Sequence, residues 1–241
     1  REGRISWDNM VLYEDGWFYA FFGTGIHRTD GVPSVANGID VYRSRDGLHF
    51  ECVVENACPI PSAVAGYCFH KIGDWWYYYP TCIDSEKGVH FKIYRTRDFL
   101  DWEHLGDEHD SLPDRRIYRE RWDELCILEE TDEDGAPVYY GYISSEPQDE
   151  VSPPACGMLR STDGIHWQIL PPPVVEWGEL PAQHGEVCIA AKMDGRYYLD
   201  IAFRTFLDSY GYSVYTFVAD TPFGPFRPVT EKFRLCGSSR R

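Results

Sequence analysis

The chain has 241 residues and a mass of 27.9 kDa, with 43% hydrophobic and 26% charged residues. It is therefore long enough to bury a sizeable core and too apolar to be disordered. Its net charge of −16 disfavours nucleic acid and anionic membranes as partners, because both are bound through basic surfaces. No apolar run approaches the length of about 18 residues that a membrane span needs.

Four segments have the pattern of a β-hairpin. In each, a β-rich run is followed by a turn with Asp-Gly or Gly-Asp and then by a second run rich in aromatic residues. Such turn residues between two apolar runs are a strong hairpin signal, because glycine and aspartate tolerate the backbone conformations of tight turns. The predicted turns are Asp15-Gly16, Gly73-Asp74, Asp134-Gly135 and Asp194-Gly195.

A second motif follows each hairpin. It lies at residues 44–50, 96–102 and 161–167, with a variant at 219–226. In each, a strand is expected to end in a turn, and an aromatic residue begins the next strand. The Asp or the Ser/Thr of the motif caps the turn, and the aromatic side chain covers it.

The spacing of these motifs indicates a repeat. Tyr19, Tyr77, Tyr140 and Tyr198 stand at equivalent positions and are separated by 58, 63 and 58 residues. About four strands fall within each period and helical periodicity is nearly absent, which is typical of propeller blades. The sequence predicts a single all-β propeller domain with blades at approximately 5–60, 61–115, 116–175 and 176–235. A β-sandwich with four hairpins is the alternative.

Carboxylates open three of the four predicted inner strands. Asp8, Asp123 and Glu186 each stand just before an apolar run, while Gly66 holds the corresponding place in the second repeat. The first residues of the inner strands line the channel of a propeller, and an acid beside a buried strand is costly unless it has a partner or a task. Their recurrence predicts a functional set, whereas a surface or capping role is the alternative for any one of them.

This combination resembles the five-bladed β-propeller glycosidases of glycoside hydrolase family 43 and its relatives in families 32, 62, 68, 117 and 130. The resemblance covers nearly the whole chain as a blade pattern. Asp8 matches the acid of the first blade, Asp123 and the acidic turn at 132–135 match the third, and Glu186 matches the acid of the fourth. Residues 221–226 resemble the Gly-Pro-aromatic segment late in a blade.

The chain also departs from the family pattern. Asn9 and Glu124 stand where proline commonly follows the acid, and Val187-Cys188 follows Glu186 in place of Gly-Pro. Only four repeats are visible, whereas the relatives have five blades. Four blades of a five-bladed ring would leave an open sheet edge, so we expect chain beyond the ends or a partner chain to complete the ring. A homo-oligomer is therefore a candidate assembly.

The resemblance implies a glycoside hydrolase that cleaves a terminal arabinofuranoside or xyloside bond with inversion. In this reaction one carboxyl group protonates the leaving oxygen, and an ionised carboxylate activates water on the opposite side. Carried over, Asp8 is the general base, Glu186 is the general acid, and Asp123 raises the pKa of the acid and orients it. The substrate is an oligosaccharide or glycoside. No cofactor is required, and a structural calcium ion in the channel is compatible with the resemblance.

Six further residues are candidates for substrate binding. The tryptophans can stack on a sugar or pack between blades, the histidines can enter the channel or serve structure, and the arginine can bind substrate or form an ion pair. The candidates are Trp7, His70, Arg121, Trp122, Trp177 and His184.

The eight cysteines include no CxxC pair, which disfavours a structural zinc site. Several lie in apolar runs and are expected to be buried free thiols, which favour a reducing, cytoplasmic compartment. A disulfide between Cys52 and Cys58 is the alternative.

Two other functions stay open at this point. A retaining fructosidase or a glycoside phosphorylase shares the fold, and phosphorolysis would need basic side chains near the acids to hold phosphate. A non-catalytic glycan-binding propeller would explain the departures after each acid.

Overall fold

The structure is a computed structural model that describes residues 4–26, 35–65, 68–149, 155–177, 185–204, 212–229 and 236–237. For residues 4–8, 26, 35–37, 61–65, 120, 204, 212 and 236–237 it describes the backbone alone. Helix in these ranges is limited to the 3-10 turn Asp107–His109, so the all-β prediction is confirmed. None of the described helical structure is long and apolar enough to cross a membrane. The chain divides into two compact units, Arg1–Asp110 (the N-terminal unit) and Ser111–Arg241 (the C-terminal unit).

The N-terminal unit contains two antiparallel sheets. Its strands are β1 (Arg4–Glu14), β2 (Trp17–Ile26), β3 (Val35–Ser44), β4 (Glu51–Ala65), β5 (Phe69–Ile72), β6 (Trp75–Tyr78), β7 (Thr81–Asp84), β8 (Gly88–Phe91), β9 (Tyr94–Thr96) and β10 (Glu103–His104). The first sheet has the order β1-β2-β3-β4-β7-β8, and the second has the order β10-β9-β6-β5.

The first sheet extends beyond the predicted blade. The predicted boundaries place β7 and β8 in the second blade, but β7 pairs with the end of β4, where Ala63 and Ala65 lie opposite Cys82 and Thr81. Ala63 pairs with Ala36 of β3 on one side and with Cys82 of β7 on the other, so β7 occupies the second edge of β4. The 81–91 hairpin consequently adds to the sheet that precedes it.

The C-terminal unit also contains two antiparallel sheets. Its strands are β11 (Tyr118–Thr131), β12 (Pro137–Pro147), β13 (Cys156–Ser161), β14 (Gln168–Leu170), β15 (Gly185–Met193), β16 (Arg196–Arg204), β17 (Tyr212–Ala219), β18 (Arg227–Pro228) and β19 (Cys236–Gly237). One sheet has the order β11-β12-β13-β14, and the other has the order β15-β16-β17-β18, with β19 also paired to β17.

All four predicted hairpins are confirmed. The pairs β1–β2, β5–β6, β11–β12 and β15–β16 close at the predicted turns. In the turn of β15–β16, Asp194 has φ 50° and Gly195 has φ 76°. Two successive positive φ values match the right-handed twist of the flanking strands, and aspartate followed by glycine tolerates them.

The second motif forms a capped turn, as predicted. In the turn after β13, the Asp163 Oδ1 atom accepts the backbone N–H groups of Ile165 and His166, each at 2.8 Å. The Ser161 hydroxyl accepts the N–H of Gly164 at 2.9 Å, and the Trp167 ring donates to the Gly164 carbonyl at 3.0 Å. The turns at Ser44/Asp46 and Thr96/Asp98 repeat this Ser/Thr and Asp pattern. We call these three segments the capped turns.

Each unit has its own hydrophobic core. In the N-terminal unit, Phe21, Val41 and Tyr78 are among the buried residues that pack between its two sheets. In the C-terminal unit, Tyr142 and Phe217 belong to the corresponding cluster. Successive side chains of a strand point to opposite faces of its sheet, so these core residues fix which of their neighbours lie on the other face.

Candidate active site

The three predicted acids lie on strands whose register is irregular near the acid. The register shifts between Trp7 and Asn9 in β1, so that Asp8 has no partner across the ladder. It shifts again between Asp123 and Cys126 in β11, and between Val187 and Ile189 in β15. Such bulges re-aim side chains and are over-represented next to active sites.

Arg121 connects the acids of the C-terminal unit. Its Nε atom donates to Asp123 Oδ1 at 2.9 Å, and its Nη2 atom lies 3.2 Å from Glu186 Oε1. Its Nη1 atom donates to the Gly185 carbonyl at 2.8 Å, which fixes the guanidinium against the start of β15. The predicted pair Asp123 and Glu186 is therefore held together by a single cation, and Arg121 forms ion pairs in this structure.

Glycine is required just before Glu186. A Cβ atom at Gly185 would lie 2.6 Å from the Cβ atom of Ala155 and 2.7 Å from the ring of Phe203. Real Cβ atoms do not approach so closely, and only glycine fits at this position. The close packing fixes where β15 begins and hence where Glu186 stands.

A fourth acidic residue, Glu124, joins this group and was not predicted. Its backbone has φ 56°, in the left-handed region, inside the bulge of β11. In a regular strand Glu124 would face away from its neighbours Arg121 and Asp123, because successive side chains alternate. Here its Oε2 atom lies 3.7 Å from Arg121 Nη2. We call Arg121, Asp123, Glu124 and Glu186 the acid cluster.

Ser144 fixes Glu124 from the neighbouring strand. Its hydroxyl donates to Glu124 Oε2 at 2.9 Å and accepts the backbone N–H of Val187 at 2.9 Å. One fully buried serine thus ties β11, β12 and β15 at the acid cluster. The carboxylate side chains of Asp123, Glu124 and Glu186 are 25, 29 and 26% exposed, which leaves them accessible to a ligand.

The electrostatics of the acid cluster favour one protonated carboxyl group. The carboxylates of Asp123, Glu124 and Glu186 all lie beside the guanidinium of Arg121 and are therefore close enough to repel one another. Burial raises the pKa of Glu124 to about 7, the charges of Glu186 and Asp123 add to the rise, and Ser144 and Arg121 oppose it. A carboxyl group with such a pKa can hold and release a proton at neutral pH, as a general acid must.

The prediction that Trp122 binds substrate is wrong. Trp122 is fully buried, and its ring Nε1 atom donates to the Ser111 hydroxyl at 3.3 Å. Its ring also lies against Gly157, where a Cβ atom would meet it at 3.0 Å. Trp122 is therefore a core side chain and is not available to stack on a sugar.

Of the other predicted site residues, the structure describes the side chains of Trp177 and His70 but not those of Asp8, Trp7 and His184. Trp177 is half-buried and packs edge-on against Phe203 and Phe217, at centroid distances of 4.3 and 5.5 Å. These contacts match the alternative in which the tryptophan packs inside the protein rather than on a sugar. His70 lies on β5 opposite Tyr77 in the N-terminal unit. His184 and the side chains of Asp8 and Trp7 lie outside the described residues, so their roles stay predictions.

The N-terminal unit holds a group of potential metal ligands. The ligand atoms of His104, Asp107 and Asp110 lie within 4.8 Å of one another. However, Lys92 Nζ lies 2.7 Å from Asp107 and 3.3 Å from Asp110, and Lys87 Nζ lies 2.5 Å from Asp110. Two ammonium groups already neutralise these aspartates, so the group is an ion-pair network rather than a metal site.

A cavity of about 520 Å³ lies on the first sheet of the N-terminal unit. Its lining includes Phe22, Asp40 and Tyr42, which alternate along β2 and β3 with the core residues Phe21 and Val41. The cavity therefore occupies the sheet face opposite the core.

The two cysteines predicted as an alternative disulfide, Cys52 and Cys58, are both free thiols. Burial raises the pKa of Cys58 far above its ordinary value, so this thiol is neutral. It serves as an apolar core residue.

Solved structures of similar fold cover almost the whole chain. A thermostable family-43 glycoside hydrolase is 14% identical with a TM-score of 0.61, and the match covers 95% of this chain and 73% of that one. A family-43 β-xylosidase/α-arabinofuranosidase from a compost microbial metagenome, in complex with xylotriose, is 14% identical with a TM-score of 0.60, covering 92% and 76%. A β-1,2-mannobiose phosphorylase from Listeria innocua, in complex with β-1,2-mannobiose, is 14% identical with a TM-score of 0.67, covering 95% and 76%.

The chain has a β-propeller fold. This confirms the predicted fold class and excludes the β-sandwich, with four sheets in the described residues. No protein-family model matches the chain, and no curated protein matches it in sequence. At identities of 14% the likeness shows the fold, and the roles of the residues rest on the geometry of the acid cluster.

Proposed function

We propose that this protein is a glycoside hydrolase that cleaves a terminal glycosidic bond by acid and base catalysis. The observation that carries the proposal is the acid cluster, in which three partly exposed carboxylates share Arg121 at the starts of β11 and β15. Glycosidic bond cleavage needs one protonated and one ionised carboxyl group. Three neighbouring carboxyl groups, one of which has a pKa raised to about 7, can supply both states at neutral pH.

The proposed substrate is a glycoside or oligosaccharide of the arabinofuranoside or xyloside type. The proposal follows the similarity to the family-43 β-xylosidase/α-arabinofuranosidase solved with xylotriose. The family resemblance assigns Asp8 as the general base, Glu186 as the general acid and Asp123 as the residue that orients the acid and raises its pKa. Inversion would require about 6.5–9.5 Å between the carboxyl groups of base and acid, which leaves room for the attacking water.

A glycoside phosphorylase is the second candidate, because the mannobiose phosphorylase has a TM-score of 0.67 with this chain. Phosphorolysis needs several cations beside the acids to hold phosphate. In the described part of the acid cluster the cation is Arg121, which already serves three carboxylates. We therefore place hydrolysis first.

A panel of aryl glycosides tests the proposal. The full chain is assayed on aryl α-L-arabinofuranosides, β-D-xylosides and β-D-mannosides and on sucrose, each with and without phosphate. We expect phosphate-independent release from a pentoside, and Asp8→Asn should abolish it while the fold, checked by circular dichroism, is retained. Phosphate-dependent release would favour the phosphorylase. Binding of xylo- or arabino-oligosaccharides without turnover would favour a non-catalytic glycan-binding protein.

A further inference from the structure

We infer that Glu124, rather than Glu186, is the residue that donates the proton to the leaving group. This inference rests on the proposed function and revises the assignment that the family resemblance implies. Its basis is the position of Glu124 between Arg121, Ser144 and Glu186 in the acid cluster.

The position of Arg121 distinguishes the two glutamates. Its Nη2 atom lies 3.2 Å from Glu186 Oε1 but 3.7 Å from Glu124 Oε2. The same guanidinium bonds the Gly185 carbonyl, directly beside Glu186 in the chain. Arg121 therefore attracts the carboxylate of Glu124 less strongly than it would at the shorter distance, because the attraction weakens with distance. A proton shared by the cluster consequently resides on Glu124.

Ser144 determines which oxygen of Glu124 carries the proton. The serine hydroxyl accepts the N–H of Val187, so its own proton points to Glu124 Oε2. An oxygen that accepts this hydrogen bond is a poor place for a second proton, and Oε1 is therefore the donor atom. The left-handed φ of Glu124 turns the carboxyl group toward Arg121.

The groups around Glu124 in its unit come from three strands. On β11 they are Arg121, Asp123 and Cys126, on β12 the hydroxyl of Ser144, and on β15 Glu186 and Cys188. Both thiols have pKa values raised well above the ordinary range, chiefly by burial, and are neutral. Among the described residues, the charges that act on Glu124 include those of two carboxylates and one guanidinium, and burial together with the carboxylates raises its pKa to about 7.

Hydrolysis uses water as the second reactant, and the protons balance over the whole reaction. As the bond between the anomeric carbon and the leaving oxygen breaks, the proton of Glu124 Oε1 passes to that oxygen. A water molecule attacks the anomeric carbon, and the proposed base Asp8 takes the proton of this water. The products are the free sugar and the alcohol, and one proton moves from Asp8 to solvent as Glu124 takes one up.

Two matched variants test the assignment kinetically. The first variant, Glu124→Gln, keeps an oxygen that can accept the hydrogen bond of the Ser144 hydroxyl. The second, Glu186→Gln, changes the neighbouring acid. The control is Glu133→Gln, in an exposed turn. We expect E124Q to lose about 100-fold or more in kcat/KM on alkyl glycosides but little on dinitrophenyl glycosides, which need no proton. The alkaline limb of the pH profile near 7 should disappear in E124Q. The same pattern in E186Q, with E124Q near wild type, would overturn the assignment.

A titration without substrate separates this inference from the proposed function. The protein is labelled with ¹³C at its glutamate side-chain carboxyls, and the carboxyl resonances are followed with pH. One resonance should titrate near pH 7 in wild type and in E133Q, be absent in E124Q, and titrate at lower pH in E186Q, because a repelling charge is gone. No resonance near pH 7, or one that E186Q removes, would contradict the assignment. Wild type that titrates in this way but hydrolyses no glycoside would contradict the proposed function alone.

Discussion

The capped turns and the acid cluster place the same chemical group in opposite environments. In the capped turn after β13, Asp163 accepts two backbone N–H groups and the ring nitrogen of His166. Burial opposes ionisation there, but hydrogen bonds led by those of His166 lower the pKa of Asp163 to about 2. In the acid cluster, burial and two neighbouring carboxylates raise the pKa of Glu124 to about 7. N–H donors stabilise an ionised carboxylate, and buried like charges destabilise it.

This difference separates structural acids from candidate catalytic ones. The chain has 39 acidic residues, so an acid at a strand end is not by itself a sign of function. The capped-turn aspartates satisfy the backbone where a strand ends and recur in three sheets. The acid cluster instead brings three carboxylates together around Arg121. We therefore expect substitutions in the capped turns to change stability and those in the acid cluster to change activity and pH dependence.

The largest effect is expected from Arg121→Met. The change removes the cation shared by three carboxylates and leaves the Gly185 carbonyl without its donor. We expect a loss of about 2–3 kcal/mol in the free energy of unfolding at pH 8, and about 100-fold or more in kcat/KM. The loss in stability should shrink as the pH falls and the carboxylates take up protons. Urea unfolding at pH 5 and 8 measures it.

Arg196→Met is the matched control for this change, because Arg196 pairs with Asp220 at the exposed surface of the same unit. Exposed pairs contribute about 0–1 kcal/mol, so R196M should be close to wild type. Equal destabilisation by the two substitutions would mean that the acid cluster is not held together by Arg121.

The second prediction concerns how stability varies with pH. The folded protein keeps the Glu124 proton up to a pKa of about 7, whereas the unfolded chain releases it near 4.5. The folded state binds more protons between these values, so its stability falls as the pH rises through them. Relative to Glu124→Gln, wild type should lose about 2–3 kcal/mol across this window in urea unfolding. If the free energy of unfolding varied with pH in the same way for the two proteins, the raised pKa of Glu124 would be refuted.

The third and smallest effect is expected from Asp163→Ala. The substitution removes the acceptor of two backbone N–H groups at an exposed turn, which costs about 1 kcal/mol. The folded pKa of Asp163 is lowered, so its contribution is present above pH about 4 and is lost as the pH falls toward 2. Glu133→Ala, in the exposed turn between β11 and β12, should change stability little. If D163A lost the same amount of stability at every pH, the ionised carboxylate of Asp163 would not be the source of the stabilisation.

Local features of the fold were predictable from the sequence. The Asp194-Gly195 turn needs two positive φ values, which few other residue pairs tolerate, and the Ser161/Asp163 turn satisfies its own backbone. The pairing of β7 with β4 was not predictable, because it is a contact between repeats that a local pattern does not encode.

The acid cluster was predicted in part. Asp123 and Glu186 stand out because each precedes an apolar run. Glu124 was missed because its role depends on a left-handed backbone inside a bulge, and Trp122 was misassigned because the same bulged strand places its ring in the core. Two adjacent acids before the apolar run at 125–128 were the available signal.

A side-by-side measurement of kcat/KM for Glu124→Gln and Asp163→Ala tests the central claim most directly. Both substitutions remove a carboxylate from the C-terminal unit, one from the acid cluster and one from a capped turn. On the best alkyl glycoside at pH 6, E124Q should lose about 100-fold or more, while D163A stays close to wild type although it is less stable. Near-normal turnover by E124Q, or an equal loss in D163A, would contradict the account.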